Sequence, residues 1–496
     1  MQKIGQVFTP YSWAKWCVES CSIYQDWLEG ASVCDPTGGE GVFIHVLLDK
    51  AKQDGMLSEK LVARLGYIEK DFDCVQKFSH SIEDTYPNYA HALDIRHCDV
   101  IIDDLMDIAT SYDWLIGNPP WVNFTDLDGT YKENIKEHFV EEGLVISKRQ
   151  TLLGNTRIDI AALVLQKVLG VLTKPDAKCV FFVPSSLWYG DAHAGFRNFT
   201  TREREFCVLA FVELGNVFVD IQTKYGCVYM QMDKKHQYPV SVHTADTKKQ
   251  MWAFPILPPN GTWILQQSKE QMVLPKVTIQ KEHIPRQGVN TCGSNAVYFF
   301  DTYPEYLPAQ YVYPLATKEI WKNERIEVHC DDASSFSIAP CKWVLLPYHK
   351  ESGKVLHWTE IEKHPTLERY LLQHKDILMS RKGTMLSGSL HRGYWWAMLG
   401  VGRYTFSPYK IMWQSYGVKQ WNPVLLSSPS TTSQIWIANQ ALQTYIPVWD
   451  KADARRILHE ISNPVYQEVL SALQGASTAN WAQPGKVKQF LTILDT

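Results

Sequence analysis

The chain has 496 residues, more than one hydrophobic core usually serves, so we expect two domains. Its composition is that of an ordinary globular protein. The formal net charge of −4 excludes a protein that is basic throughout. The charge is unevenly divided, because residues 1–240 contain 23 Lys and Arg against 33 Asp and Glu, whereas the remaining residues contain 26 against 20. A basic second half is where a polyanion would be bound.

The eleven cysteines are scattered along the chain. The nearest pair, Cys17 and Cys21, has the spacing of one helix face rather than of a disulfide or a zinc knuckle, which favours a reducing, cytoplasmic location. The sequence predicts neither a membrane span nor a signal peptide, since it has no run of about 18 apolar residues and begins with polar residues. The histidines show no paired metal-ligand spacing, so we expect no metal.

The first half predicts a parallel α/β sheet, because short apolar runs that end in turn residues alternate with amphipathic stretches. The predicted strands are residues 31–34, 65–69, 114–117 and 179–184, and the predicted helices include residues 42–50 and 156–172. Residues 122–150 are charged and lack strong periodicity, which predicts a mobile loop. Open α/β sheets bind ligands beyond the carboxyl ends of their strands, so we expect the functional residues there.

A glycine-rich turn follows the first predicted strand, with the sequence Val-Cys-Asp-Pro-Thr-Gly-Gly-Glu-Gly over residues 33–41. It lacks the Lys-Ser/Thr of a phosphate loop. Asp35 and Glu40 would repel a pyrophosphate but suit a ligand with a positively charged sulfonium. Glu69, at the end of the next strand, could accept both hydroxyls of a ribose, although alone it would more often be a solvated strand-end residue.

The strand at 114–117 is followed by Asn118-Pro119-Pro120-Trp121. The lone pair of an exocyclic aromatic amine is delocalised, so the nitrogen becomes nucleophilic only when two acceptors hold its hydrogens. The Asn118 side chain and the Pro119 carbonyl could supply these acceptors on a segment stiffened by proline. Trp121 offers a flat surface for a base taken out of its stack. Alone, the tetrapeptide could equally be an ordinary loop.

Beyond about residue 250 the chain is rich in Pro, Gly and aromatic residues, which predicts a β-rich second domain closed by helices over residues 451–473. Cations interleave with aromatic residues there, a mixture that suits phosphate neutralisation and groove contacts. The cations expected to lie on the surface and contact nucleic acid are Arg381, Lys382, Arg392, Arg403 and Lys410. Trp395 and Trp396 are more often core residues than base readers.

Together these motifs resemble the gamma-class adenine-N6 DNA methyltransferases of bacterial restriction-modification systems. Residues 5–10, Gly-Gln-Val-Phe-Thr-Pro, resemble the N-terminal cofactor element of that family. Residues 35–41 resemble its Asp-Pro-Ala-Cys-Gly-Ser-Gly motif, with Thr37, Gly38 and Glu40 as departures. The resemblance implies S-adenosylmethionine as cofactor, bound by Phe8, Thr9, Pro10, Asp35, Gly39, Gly41, Glu69, Asp99 and Val100. Asp94 and Asp103 compete with Asp99 for the role of reading the cofactor adenine.

The resemblance also implies the catalytic residues. These are Asn118, Pro119, Pro120, Trp121 and Phe218. Phe218 lies in residues 214–218, which resemble a segment that donates a second aromatic ring to the flipped base, and a core phenylalanine is an equally weighted alternative. Residues 183–186 match a strand end that lines the active site of the family. Residues 288–295 are similar to a glycine-rich turn that often opens its recognition domains.

The sequence therefore predicts a Rossmann-like class I methyltransferase domain over residues 1–245 and a mixed, β-rich target-recognition domain with C-terminal helices over residues 246–496. The implied reaction is methylation of adenine N6 in duplex DNA by base flipping, within a restriction-modification system. We expect the endonuclease to be a separate partner, since the cofactor element begins at residue 5 and leaves no room ahead of it for a nuclease.

Two other interpretations remain open. The same Asn-Pro-Pro-aromatic motif serves protein-glutamine and RNA methyltransferases, although the length and basic balance of the second half favour DNA. The chain could also be a non-catalytic DNA-binding module with an inactive methyltransferase fold, although the intact motif at 118–121 argues against loss of catalytic activity.

Overall fold

The computed structural model describes residues 7–105, 111–127, 129–145, 157–215, 217–218, 224–245, 249–256, 260–270, 277–321, 327–329, 340–381, 384–415, 420–428, 435–440, 443–473 and 482–494. These residues divide into two compact units. The described part of the first unit ends at Glu270, and that of the second begins at Val277.

The first unit alternates helices and strands. Its helices are α1 (Tyr11–Ser20), α2 (Ile23–Glu29), α3 (Val42–Gln53), α4 (Glu59–Val62), α5 (Phe72–Thr85), α6 (Gly129–Glu141), α7 (Ile160–Val171) and α8 (Ser186–Tyr189). Its strands are β1 (Val33–Asp35), β2 (Leu65–Glu69), β3 (Asp94–His97), β4 (Tyr112–Gly117), β5 (Thr173–Pro184), β6 (Phe206–Leu214), β7 (Tyr225–Met232), β8 (Val240–Thr244), β9 (Gln250–Pro255) and β10 (Trp263–Gln266). All four predicted strands and both predicted helices of the first half are present.

These ten strands form one sheet in the order β10-β9-β8-β6-β7-β5-β4-β1-β2-β3. Strands β3, β2, β1, β4 and β5 are parallel to one another, and β7 is antiparallel to both β5 and β6. The chain starts in the middle of the sheet, winds outward to β3 and returns to β4, so the order reverses between β1 and β4. This is the switch point at which open α/β sheets bind ligands. The predicted Rossmann-like architecture is confirmed.

Alternate side chains of the central strands pack on opposite faces of the sheet, as the period of a β-strand requires. Trp114 and Ile116 of β4 join one core cluster with the buried side chains of α1 and α3. Leu115, between them, joins the other cluster with α7 and part of α6. The sheet is therefore covered by helices on both faces, which leaves its edge of carboxyl strand ends free to form a site.

The prediction of a mobile loop over residues 122–150 is wrong for its described part. Residues 129–141 form α6, whose Ile135 and Phe139 are fully buried against the first core cluster. The helix has weak amphipathic periodicity, so only tertiary packing of this short apolar stripe stabilises it.

The division of the chain also falls later than the predicted boundary between residues 245 and 246. Strands β9 and β10 are antiparallel additions that continue the sheet of the first unit through β8. Their alternating aromatic and Pro-containing sequence was assigned to the second domain from composition, but the hydrogen bonds of the sheet place them in the first.

The second unit is mixed and β-rich, as predicted. Its strands are β11 (Val277–Gln280), β12 (Arg286–Gln287), β13 (Phe299–Phe300), β14 (Val312–Pro314), β15 (Glu327–His329), β16 (Trp343–Leu345), β17 (Tyr409–Gln414), β18 (Val424–Ser427), β19 (Gln443–Val448) and β20 (Leu491–Leu494). Its helices are α9 (Asn295–Tyr298), α10 (Trp358–Ile361), α11 (Pro365–Gln373), α12 (Lys375–Met379), α13 (Thr384–His391), α14 (Lys451–Ile461), α15 (Val465–Leu473) and α16 (Pro484–Lys488). The strands form sheets of five, three and two strands.

The predicted helical stretch over residues 451–473 is two helices, α14 and α15. They separate at Asn463 and Pro464, because proline cannot donate the backbone hydrogen bond that a continuous helix needs at that point. Trp396 is buried in the core of the unit and Trp395 packs against the same core, in line with the structural role expected for both. Within the described part of the chain, the helices fall short of the length and apolar character that crossing a bilayer requires.

Candidate active site

A cleft of about 680 Å³ opens at the carboxyl ends of β1, β2 and β4. The residues that line it are Val7, Phe8, Pro36, Thr37, Gly39, Glu69, Lys70, Cys98, Asp99, Val100, Ile101, Asn118, Pro120, Tyr131 and Val164. An adjoining lobe shares five of these residues and adds, among others, Thr9, Tyr11, Asp35, Glu40, His45 and Asp49. The parallel register brings these strand ends together, so motifs separated by up to about 110 residues meet in one place.

The turn after β1 is packed too tightly for side chains at two of its glycines. A Cβ at Gly38 would lie 2.1 Å from the ring of Tyr67, which is itself buried and donates a hydrogen bond to the carbonyl of Gly39 at 2.6 Å. Gly41 has φ +75° at the N-cap of α3, and a Cβ there would lie 2.1 Å from Phe78. The turn is therefore rigid and presents bare backbone to the cleft.

Asp35, at the end of β1, is buried and only 1% exposed. Its Oδ1 accepts a hydrogen bond from the Thr37 N–H at 3.1 Å. Burial, opposed by the Thr37 N–H and assisted by the negative charge of Glu69, raises the pKa of Asp35 to about 8. A positive charge placed nearby would favour the ionised form of this carboxyl group.

Glu69, at the end of β2, is held by backbone hydrogen bonds. Its Oε2 accepts from the Gly39 N–H at 2.9 Å and its Oε1 accepts from the Asp71 N–H at 2.8 Å. Each carboxylate oxygen keeps a further lone pair, so Glu69 can also accept from two hydroxyl groups of a ligand. These bonds orient the carboxylate in the cleft without any ligand.

Asp99 lines the far end of the same cleft. Its Oδ1 accepts from the Ile101 N–H and its Oδ2 accepts from the Tyr131 hydroxyl, both at 2.9 Å. The two competing acids lie elsewhere: Asp94 is ion-paired with Arg96 at 2.9 Å, and Asp103 accepts from the Asp99 N–H at 2.7 Å. Beside Asp99, the apolar side chains of Val100, Ile101, Pro120 and Val164 line the cleft, which suits a flat heterocycle.

Asn118 follows β4 and lines both lobes of the cleft. Its Nδ2 donates to the Val7 carbonyl at 2.9 Å and to the Thr9 hydroxyl oxygen at 3.1 Å. Its Oδ1 is buried and has no hydrogen-bond partner among the residues that the structure describes. An orphaned buried acceptor is costly, so this oxygen is suited to accept a hydrogen from a ligand.

Trp121 belongs to a cluster of three aromatic rings. Its ring lies 5.0 Å from Phe218, edge to face, and 5.0 Å from Tyr225 in a stacked arrangement, while its Nε1 donates to the Phe182 carbonyl at 3.3 Å. The Tyr225 hydroxyl accepts from the backbone N–H groups of Val217 at 2.6 Å and Phe218 at 2.8 Å. The cluster thus connects the segment after β4 to the segment between β6 and β7.

The cleft brings together most of the residues predicted for it. Pro10 caps the N-terminus of α1 and Gly41 caps that of α3, so both shape the site without lining either lobe. Pro119 is buried between Asn118 and Pro120. Gly5, Gln6 and Asn216 of the quoted motifs lie outside the described residues.

Lys70, Tyr131 and Tyr225 were missed from the sequence. The Lys70 ammonium lies 4.3 Å from the centroid of the Tyr131 ring and donates to its hydroxyl at 3.3 Å, which completes the wall near Asp99. Tyr131, Ile135 and Phe139 have the i, i+4, i+8 spacing of a helix face, and this was the signal available. Tyr225 carries no motif of its own.

Two of the five cations expected on the surface of the second unit are buried. Arg381 is 7% exposed and donates to the carbonyls of Leu378, Thr291 and Trp395, at 2.9, 3.1 and 2.6 Å. Lys410 is 1% exposed and donates to the Ser407 carbonyl at 2.7 Å. The prediction of surface exposure is wrong for both, because each side chain extends inward and donates to buried backbone carbonyls.

Arg392 and Arg403 are exposed, as expected. The Arg403 guanidinium lies 5.6 Å from the Trp449 ring. Lys382 lies outside the described residues. Among the residues that the structure describes, no three His, Cys, Asp or Glu side chains are grouped to hold a metal ion.

Comparison with protein-family models and with curated protein sequences finds no match. Among solved structures, the chain is similar to the type IIL restriction-modification enzyme MmeI in complex with DNA, at 13% identity and a TM-score of 0.48 over 89% of this chain. It is also similar to a nuclease-deletion mutant of the type ISP restriction-modification enzyme LlaGI, at 15% identity and 0.43 over 59%, and to the type I restriction enzyme EcoKI M protein, at 13% and 0.34 over 48%. The chain spans 60%, 34% and 48% of the lengths of these three chains, and at such identities the likeness concerns the fold alone.

Proposed function

We propose that this chain is an S-adenosylmethionine-dependent DNA methyltransferase that modifies the exocyclic N6 amine of adenine. The observation that carries the proposal is the Asn118 amide, whose Oδ1 is buried without a partner in a cleft at the switch point of the sheet. An amide oxygen held in this way can accept a hydrogen from an aromatic amine.

The cleft has the groups that S-adenosylmethionine requires. The paired oxygens of Glu69 suit the two ribose hydroxyls, Asp99 suits the adenine amine, and the apolar wall suits the adenine ring. The bare backbone at Gly39 allows close approach, and Asp35 at the adjoining lobe suits a cationic sulfur. We assign Phe8 and Val100 to the same set because they line the cleft, and Pro10 and Gly41 to its framework, while Thr9 lines the adjoining lobe, where its hydroxyl oxygen accepts from Asn118.

When bound, this cofactor supplies an electrophilic methyl group: the amine lone pair forms the new N–C bond, the sulfur keeps the pair of the broken S–C bond and becomes a neutral thioether, and one amine proton leaves to water. The protein contributes position and electrostatics. Asn118 Oδ1 and the Pro119 carbonyl accept the two hydrogens of the amine, which localises the lone pair on nitrogen. No covalent protein intermediate is needed.

Adenine in duplex DNA is out of reach unless it is flipped out of the stack. The rings of Trp121, Phe218 and Tyr225 lie next to the Asn118 segment; Phe218 and Tyr225 are buried in the core and support Trp121, whose half-buried ring is the one suited to pack against such a base. Stacking of this kind is worth about 1 to 3 kcal/mol per base. The cluster supports flipping because it offers a flipped base an alternative to its stacked neighbours.

The second unit supports DNA as the substrate. It belongs to the half of the sequence with a basic balance, and Arg392 and Arg403 are exposed on it. The MmeI and LlaGI structures that resemble this fold are of enzymes bound to DNA or a DNA mimic. We further propose that the chain acts in a restriction-modification system in which a separate endonuclease performs cleavage.

The test compares Asn118→Ala with wild type, and with Asn88→Ala as a matched control, because Asn88 is exposed in the same unit and outside the cleft. We expect Asn118→Ala to lose methyl transfer to adenine-containing duplex DNA by at least about 100-fold, by analogy with the loss of one preorganised hydrogen-bonding group from an active site. S-adenosylmethionine binding, measured by calorimetry, should persist in both variants.

Normal turnover by Asn118→Ala would remove Asn118 from the mechanism. Duplex DNA, RNA and a glutamine-containing peptide should be offered side by side, since transfer to RNA or peptide alone would overturn the assignment of DNA. Failure of the wild-type chain to bind S-adenosylmethionine would support a non-catalytic DNA-binding module. Long-read sequencing of DNA from cells that express the chain would identify the modified base and its sequence context.

A further inference from the structure

The orientation of the Asn118 amide is determined by the segment just before α1. An amide nitrogen has two hydrogens, and here one is donated to the Val7 carbonyl and the other to the Thr9 hydroxyl oxygen. The Val7 carbonyl can only accept hydrogen bonds, so the nitrogen side of the amide must face it. Turning the amide by 180° would set two oxygens against each other at about the same distance, which is repulsive.

This fixed orientation has a direct consequence for the opposite side of the amide. With both hydrogens of Nδ2 engaged, Oδ1 points away from Val7 and Thr9, and it is the atom left buried without a partner. An asparagine free to rotate would present its NH2 group to the cleft for part of the time, and NH2 cannot accept a hydrogen from an amine. The contacts with Val7 and Thr9 therefore select the reactive orientation before any substrate arrives.

The segment that carries these two acceptors is itself anchored. Pro10 caps α1 with φ −62° and leads directly into Tyr11, the first residue of the helix. The Tyr11 hydroxyl donates to Asp49 on α3 at 2.9 Å, and the Tyr86 hydroxyl donates to the other oxygen of the same carboxylate. Ala14, Cys17 and Val18 of α1 are fully buried in the core. Val7 and Thr9 are thus tied to the helix that follows the glycine-rich turn.

We propose that Thr9 is a positioning residue that acts through Asn118: together with the Val7 carbonyl, it holds the amide so that Oδ1 faces the amine to be methylated. The inference rests on the proposed function of Asn118. It gives Thr9 a different role from the cofactor contact that the sequence resemblance implies. It also explains why the segment with Val7 and Thr9 lies next to Asn118, which follows it by more than 100 residues in the sequence.

The test compares Thr9→Val, which keeps the shape of the side chain but removes the hydroxyl, with Thr9→Ser, which keeps the hydroxyl. We expect Thr9→Val to lower the kcat of methyl transfer about tenfold, the equivalent of one hydrogen bond lost in the transition state, and Thr9→Ser to stay within about twofold of wild type. The Kd for S-adenosylmethionine, measured by calorimetry, should be unchanged in both.

A second variant loosens the anchor without touching Asn118 or Thr9. Tyr11→Phe removes the hydrogen bond to Asp49 and should lower kcat by about twofold to fivefold. Circular dichroism and thermal melting of each variant check that it folds. If Thr9→Val does not fold, the result for Tyr11→Phe decides.

Three results would overturn the inference. Thr9→Val with wild-type kcat would show that the Val7 carbonyl is sufficient or that the orientation is unimportant. A weaker cofactor Kd at unchanged kcat would make Thr9 a cofactor ligand. In both cases the proposed function stands as long as the wild-type chain is active. The third result is a wild-type chain that transfers no methyl group to any substrate, which would overturn the proposed function and this inference with it.

Discussion

Buried charged groups in the two units have different surroundings. Asp35 in the first unit is buried at a cleft, its carboxyl group accepts a hydrogen bond from the Thr37 N–H, and the nearby charge of Glu69 is of the same sign. Arg381 in the second unit is equally buried, but three backbone carbonyls accept its hydrogens. Backbone carbonyls thus compensate the charge of Arg381, whereas among the described residues no cation compensates that of Asp35.

This difference distinguishes a charged side chain that stabilises the fold from one that can bind a ligand. A buried guanidinium that donates to three backbone carbonyls stabilises the loops it joins. A buried carboxyl group with a raised pKa is destabilised in its ionised form until a cation arrives. The four predictions that follow test this contrast and its extensions, from the largest expected effect to the smallest.

The largest effect should come from removing the guanidinium of Arg381. Arg381→Met leaves three carbonyls without their donor, and we expect a loss of about 3 kcal/mol in the free energy of unfolding. Arg392→Met, at an exposed position, should change it by less than about 0.5 kcal/mol. Urea denaturation followed by tryptophan fluorescence measures the free energy of unfolding of both variants. Equal values would contradict the proposed difference between the buried Arg381 and the exposed Arg392.

The second prediction concerns the pH dependence of cofactor binding at Asp35. Its pKa of about 8 means that the carboxyl group is mostly protonated at neutral pH, and a sulfonium favours the ionised form. Binding therefore requires loss of a proton below pH 8, so the affinity for S-adenosylmethionine should fall as the pH falls, by up to about tenfold per pH unit.

S-adenosylhomocysteine, whose sulfur is uncharged, provides the control for this prediction. Its affinity should vary much less between pH 6 and pH 9, and Asp35→Asn should abolish the difference between the two ligands. Calorimetry in buffers of different ionisation enthalpy would also report the released proton. The same pH dependence for both ligands would mean that Asp35 does not respond to the sulfur.

The third prediction concerns the aromatic cluster. Tyr225→Phe keeps the ring that stacks on Trp121 but removes the acceptor for the N–H groups of Val217 and Phe218. We expect kcat/KM for DNA methylation to fall about fivefold, since one hydrogen-bonding group is lost at a partly buried site. Tyr229→Phe, on the same strand but stacked on Trp114, is the matched control and should be near wild type.

The smallest effect should come from the exposed cations of the second unit. Arg392→Gln and Arg403→Gln should each weaken DNA binding about threefold and lower the slope of log Kd against log salt by about 1, as expected for one phosphate contact. Lys15→Gln, at an exposed position of the first unit, serves as the control. Fluorescence anisotropy at several salt concentrations gives both quantities, and unchanged slopes would place the DNA elsewhere.

Much of the first unit could be predicted from the sequence. The strands that end at Asp35, Glu69 and Gly117 are short apolar runs bounded by turn residues, and that pattern is local. Parallel pairing then aligns their carboxyl ends, so residues far apart in the chain meet at one edge without any detailed knowledge of packing. For this reason the sequence indicated the position of the cleft and about half of its lining residues.

Other features depended on the tertiary structure. Helix α6 exists because Ile135 and Phe139 find a core to pack on, and it brings Tyr131 to Asp99. Strands β9 and β10 belong to the first unit because their hydrogen bonds complete its sheet, although their composition resembles that of the second.

Residue type and spacing determined where chemistry could occur in this protein, since the strand ends and their polar residues follow from local pattern. Exposure and orientation were decided only by the folded chain, because they depend on which partners approach from elsewhere. The carbonyls of Thr291 and Trp395 hold Arg381 inside the second unit, and the Val7 carbonyl and Thr9 hydroxyl fix which way the amide of Asn118 is turned.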